Sequence, residues 1–111
     1  MKYTVDKRDD TVIIKPTGRL DSMTSPAFED DLGQYLSQPE GNLLIDCDEL
    51  DYISSAGLRV ILNTARTYKA ASKMFAACSM QDHVREVFEI SGFDSFIDIY
   101  DTALEFLGGK A

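Results

Sequence analysis

DCDELDYISSAGLRVIL, Asp46 to Leu62, decides how the rest of the chain is read. It begins as the end of a buried strand and passes through an acidic loop. It then meets two serines and a glycine and opens into a helix. The stretch before it, Asn42 to Asp46 (NLLID), is short and apolar between turn signals, as suits a central strand buried on both faces. The spacing after it predicts a helix from about Ser55 to Ala71, with Leu58, Ile61, Leu62 and Ala65 as the inward stripe. Arg59, Asn63 and Arg66 fall on the outward face.

Upstream, residues 2–8 alternate as a strand, with Tyr3 and Val5 on one face. Asp9-Asp10 forms a two-residue turn, and Thr11 to Thr17 is a second strand whose Pro16 suggests an edge position or a bulge. Gly18-Arg19-Leu20-Asp21 closes it. Ser25-Pro26 reads as a helix start, a serine cap followed by proline at the first helical position. Glu29, Asp30 and Asp31 follow where the helix dipole favours negative charge. Phe28, Leu32, Tyr35 and Leu36 share one face, and Gln38-Pro39-Glu40-Gly41 stops the helix.

Downstream, Lys73 to Cys78 is a strand. Gln81 to Ser91 is a helix with Val84, Val87 and Phe88 inward and Gly92 at its end. Phe96 to Tyr100 is the last strand, Asp101 to Leu107 a terminal helix, and 108–111 a frayed tail. The order β-β-α-β-α-β-α-β-α places an antiparallel hairpin before strands joined by helical crossovers. It predicts an α/β fold: a mixed sheet with an N-terminal hairpin, parallel strands and about four helices packed on it.

The 111 residues fit one domain, residues 1–111, and 44% hydrophobic content supplies its core. No apolar run approaches the ~20 residues of a membrane span, and the N-terminus has no apolar signal region. Cys47 and Cys78 form no CxxC pair and read as buried free thiols. A cytoplasmic protein is expected, with neither membrane nor cofactor. A net charge of −8 argues against nucleic acid, which needs a cationic face, and leaves a basic protein as a suitable partner.

Sites in open α/β sheets gather beyond the carboxyl ends of the parallel strands, where Ser54 and Ser55 stand. Either serine serves as a helix cap by spacing. A phosphate on Ser55 would also meet free N–H groups at the helix start, with Arg59 one turn along. The two readings are compatible. SSAG is not the GxSxG of a nucleophile elbow, and the lone histidine, His83, stands on another helix, so a small serine hydrolase is only a remote alternative. Asp46, Asp48, Glu49 and Asp51 read as a solvated loop rather than a metal site. Gly57 stands alone, so no phosphate-binding loop is present.

DYISSAGLRVIL resembles the signature of the STAS domain of bacterial anti-sigma factor antagonists. GRLD at Gly18 to Asp21 resembles the family's motif at the end of the second strand. HVREVFEISGFDSFIDIYDT, His83 to Thr102, resembles its third helix and last strand. The resemblance covers nearly the whole chain and implies a binding module, not an enzyme. Unphosphorylated, such a protein binds a serine-kinase anti-sigma factor and so frees a sigma factor. Phosphorylation separates the pair, and a PP2C-type phosphatase resets it.

The family's phosphorylated serine matches Ser55, with Ser54 as an alternative acceptor. Asp21 matches an acidic residue near that serine. The chain departs from the pattern at Ser54, where many members have aspartate, and at Ala56, where many have Ser or Thr. The docking face implied is Asp21, Ser22, Tyr52, Ser54, Ser55, Ala56 and Arg59, on a chain that is monomeric when free. A STAS scaffold in secretion, motility or a transporter-associated role is the alternative within the same fold.

Overall fold

The computed structural model of the protein describes residues 2–36 and 41–108, with side chains up to residue 33 in the first stretch. The strands are β1 (Lys2–Arg8), β2 (Thr11–Leu20), β3 (Asn42–Asp46), β4 (Leu50–Ile53), β5 (Phe75–Cys78) and β6 (Asp98–Tyr100). The helices are α1 (Ser25–Leu36), α2 (Ser55–Ala70), α3 (Asp82–Ser91) and α4 (Ala103–Gly108), with a 3-10 turn at Phe93–Ser95. The sheet runs β1-β2-β3-β5-β6, and β4 pairs with β2. The hairpin β1-β2 is antiparallel, and every other pairing is parallel, as expected.

β4 is the element that the sequence reading lacked. Leu50–Ile53 is expected to be loop, because Asp51 and the acids that precede the segment mask the strand signal. Its buried residues are Leu50 and Ile53, and Asp51 and Tyr52 between them are exposed. Pairing with β4 also carries β2 three residues past Thr17, to Leu20. β2 is therefore not an edge strand. It pairs with β3 over Thr11–Ile14 and with β4 at Gly18–Leu20, so Pro16 falls between its two parallel partners. A missing N–H is tolerated at such an interruption. The register shifts at Gly18/Arg19, and Gly18 takes φ 97° there, so the bulge reading of this strand end stands.

The hairpin turn has Asp9 at φ 54° and joins paired residues Arg8 and Thr11. β6 is shorter than expected because Phe96, with helical backbone, still closes the 3-10 turn and the strand begins only at Asp98, and α4 begins at Ala103, after Thr102. Lys73 and Met74 precede β5 rather than belonging to it. Ser25 is not the cap of α1: its hydroxyl is buried and, among the described residues, has no hydrogen-bond partner. Asp21 organises that helix start instead. The expected roles of Tyr35, Leu36 and the 38–40 stop lie outside the described side chains and residues, as do those of 109–111.

One face of the sheet carries the main core. Phe28 and Leu32 of α1, Leu58 and Ile61 of α2, and Val84 and Phe88 of α3 pack over Ile14, Leu43, Ile45 and Ala77. Val60 joins this core, while Leu62, expected within it, is only half-buried. The opposite face packs Ile13, Leu44, Ala76 and Cys78 under Phe106 of α4. Cys47 belongs to the first core and Cys78 to the second, so the sheet separates the two thiols.

Candidate partner-binding and phosphorylation site

The site forms where β2 and β4 end side by side. Leu20 pairs with Ile53, and the Ser54 N–H donates to the Leu20 carbonyl at 2.9 Å. The chain then turns directly into α2. Ser54 is the cap: its backbone is extended, and its Oγ accepts from the Gly57 N–H at 3.3 Å. Its carbonyl accepts from Leu58 N–H at 2.9 Å. Serine is favoured here because it satisfies an amide that the helix leaves without a partner.

Gly57 is required by close approach. A Cβ at this position would stand 2.6 Å from the Leu20 carbonyl oxygen and 2.8 Å from Ile53 Cγ1. Its smallness lets the first turn of α2 lie against the ends of both strands. Ser55 and Ala56 are consequently held at the rim, with Ser55 exposed and Ala56 half-buried. Arg59 is exposed one turn along the same helix.

Asp21 lies one residue beyond Leu20, as Ser54 lies one beyond Ile53. Its Oδ1 accepts from Met23 N–H at 2.9 Å and Thr24 N–H at 3.1 Å. Thr24 Oγ1 accepts from Asp21 N–H at 2.9 Å and donates to the Arg19 carbonyl at 2.8 Å. These backbone donors, with Thr24 Oγ1 and Arg19, hold the Asp21 carboxyl below its ordinary pKa of 3.8, against a smaller upward pull from burial. Ser22 and Met23 stand exposed on the loop so fixed.

Sequence reasoning missed Arg19. Its guanidinium lies 4.1 Å from the centroid of the Tyr52 ring, and its Nε is 3.5 Å from Asp21 Oδ2. One side chain thus links two of the expected face residues. GRLD alone could not disclose this, because Tyr52 becomes a neighbour of Arg19 only through the β2–β4 pairing.

Asp21, Ser22, Tyr52, Ser54, Ser55, Ala56 and Arg59 all stand on the loop after β2, on β4 or on the first turns of α2. The β2–β4 pairing brings these segments together.

The acids before the serines are tied down in several directions. Asp48 and Glu49 face Lys15 at 3.7 and 3.9 Å, and Glu49 accepts from Thr17 Oγ1 at 3.1 Å. Gln81, at the head of α3, donates to the Asp48 carbonyl and to Asp51 Oδ1. His83 Nε2 bonds the Asp51 backbone carbonyl. A carbonyl only accepts, so in this contact the ring is the donor.

A small mixed α/β module that presents a serine beside its own helix cap is the class that this fold and junction define. A family model described as the STAS domain matches residues 2–105, and the chain belongs to that family. The chain is similar to BtrV of Bordetella bronchiseptica, named as a candidate anti-sigma factor antagonist. The identity is 39% over 99 residues, covering 89% of this chain and 85% of BtrV.

Its fold is similar to a crystal structure of a candidate anti-sigma factor antagonist from Thermotoga maritima. That likeness has a TM-score of 0.90 at 23% identity, covering 96% of this chain and 92% of that one. The anti-sigma factor antagonist SpoIIAA, solved in its unphosphorylated form, gives a TM-score of 0.79 at 19% identity, covering 97% of each chain. The phosphorylated form of the Bacillus protein gives 0.76 at 18% identity, covering 99% of this chain and 100% of that one. Among the described residues, no helix is long and apolar enough to cross a membrane.

Proposed function

We propose that residues 1–111 form a single partner-switching module, an anti-sigma factor antagonist, that binds a serine-kinase anti-sigma factor while Ser55 is unmodified. Asp21, Ser22, Tyr52, Ser54, Ser55, Ala56 and Arg59 form the docking face, joined by Arg19. The kinase phosphorylates Ser55, the complex separates, and a PP2C-type phosphatase restores the binding form. The protein acts in the cytoplasm as a monomer when free and carries out no chemistry of its own.

The observation that supports this reading is the division between neighbouring serines. Ser54 caps α2, while Ser55 is exposed at its first position. Modifying Ser55 therefore costs the fold no capping bond. A phosphoserine adds ~1.5–2 negative charges at pH 7. At the centre of an interface this brings desolvation and repulsion, and a penalty of ~3 kcal/mol corresponds to a roughly hundredfold loss of affinity.

Phosphosite mapping by mass spectrometry on protein recovered from its native cells tests the reading. Phosphate on Ser55, with a kinase partner retained by Ser55→Ala and lost by Ser55→Asp, is the expected result. Phosphate on Ser54 alone moves the switch by one residue. Absence of phosphate under every growth condition overturns it.

A further inference from the structure

The chain is strongly acidic, but residues 52–80 contain Arg59, Arg66, Lys69 and Lys73 and no acid. That segment carries +4 in a chain of −8, which leaves −12 on the remainder. Arg59, Arg66 and Lys69 are exposed along α2 and Lys73 is half-buried just beyond its end. Among the described residues none of the four takes part in an ion pair. Lys2 and Lys7 on β1 also stand outside any ion pair among the described residues, but the outer face and C-terminal end of α2 gather four such cations with no acid between them in sequence.

That end borders a groove at the opposite edge of the sheet from Ser55. It lies where β5 and β6 begin and has a volume of about 380 Å³. Lys69, Lys73, Met74, Phe75, Phe96 and Asp98 contribute to its walls. Phe96 is 69% exposed and Met74 42% exposed, although both are large and apolar. The groove thus offers an apolar wall beside two ammonium groups, with Asp98 as an opposing charge on its rim.

We propose that this groove binds an acidic peptide segment of a protein partner, with an apolar side chain against Phe75 and Phe96 and carboxylates beside Lys69 and Lys73. The occupant follows from charge complementarity and size. The volume is at the small end of the ~300–1,000 Å³ range for ligand pockets, so it suits one or two side chains of a strand of peptide. A long polyanion could follow Arg66 and Arg59 along α2 but would leave the apolar wall of Phe75 and Phe96 unused, so the groove favours a peptide that carries an apolar side chain among its carboxylates. The proposal does not depend on the role given to Ser55. Fourteen residues of helix put Lys69 about 21 Å from Ser55. The Debye length at physiological salt is ~8 Å, so charge on Ser55 is screened from the groove. The groove is a docking point that persists when the serine is modified.

The test is a titration of the full isotopically labelled chain with the acetylated peptide EEFLEE, followed by amide chemical shifts. KKFLKK and EEGSEE serve as controls for charge and for the apolar anchor. Saturable shifts at Lys69, Lys73, Phe75 and Phe96 are expected, with at least tenfold weaker binding for both controls. Lys73→Glu and Phe96→Ser, both at solvent-accessible positions, should each weaken EEFLEE tenfold or more, with the remaining spectrum unchanged. Ser55→Asp should leave its affinity within twofold. No saturable shift, an equal response to KKFLKK, tighter binding of inorganic polyphosphate than of EEFLEE, or shifts centred on Ser55 and Arg59 would each overturn the proposal.

Discussion

Ser54 and Ser55 have the same side chain and different physical roles. Ser54→Ala removes the acceptor of the Gly57 N–H and should cost about 1 kcal/mol of stability. Ser55→Ala removes an exposed hydroxyl and should stay within about 0.5 kcal/mol of the parent. Urea denaturation of both variants checks this, and equal losses would contradict the assignment of the cap. Asp21 gives a second expectation. Its folded pKa lies below 3.8, so its contribution to the loop is complete above that value and is lost as pH falls through the lowered one. A carboxyl-detected NMR titration should place the Asp21 midpoint below 3.8, and Thr24→Val should raise it. A midpoint at or above 3.8 would show that the loop donors do not hold the carboxylate.

At the scale of elements, the contact between α2 and the strand ends rests on Gly57. Alanine is favoured over glycine in helices by ~1 kcal/mol, but overpacking costs ~1–3 kcal/mol. The contact here is with a backbone oxygen at 2.6 Å, which cannot rotate away. Gly57→Ala should therefore lower the denaturation midpoint with little change in its slope. The sheet sets the fate of the thiols in the same way. Burial pushes Cys78 up to about 11 and Cys47 higher still, and the two lie in cores on opposite faces. Labelling of native protein by a thiol reagent should follow the global unfolding rate, and oxidants should yield no intramolecular disulfide. Rapid labelling before unfolding would refute this.

The sequence disclosed these elements unevenly. α2 and α3 were legible because their apolar positions recur at helical spacing, and NLLID because its apolar run sits between turns. β4 was not, since a four-residue strand with two charged or polar outward positions looks like loop until β2 is known to need a partner. The Ser25 cap was misread for a related reason. Asp21, four residues earlier, supplies the loop with acceptors that local spacing assigned to Ser25. Arg19 was overlooked because its importance comes from Tyr52, thirty-three positions away in sequence and a neighbour only through the β2–β4 pairing.

At the scale of the whole molecule, charge is segregated. The acids of β3–β4 are tied to Lys15 and to the head of α3, whereas α2 faces outward as a cation-bearing helix. A phosphate on Ser55 would be introduced at the rim of this arrangement, next to a helix already capped by its neighbour. The expected outcome is that the Ser55→Asp chain keeps the parent's amide spectrum away from residues 48–62 and unfolds within about 0.5 kcal/mol of it. Shifts spread through Phe28, Leu44 or Phe88 would mean that modification acts through the fold instead of at the surface.

The pairing of a capping serine with a free one also bears on how such a chain varies over generations. Position 54 accepts only the few residues that can hold the helix start, so its alternatives are narrow. Position 55 has no side-chain partner among the described residues and is open to substitution at almost no structural penalty. Descendants of this chain can therefore lose, retain or permanently mimic a modified state by changing one codon, while the adjacent codon keeps the scaffold intact.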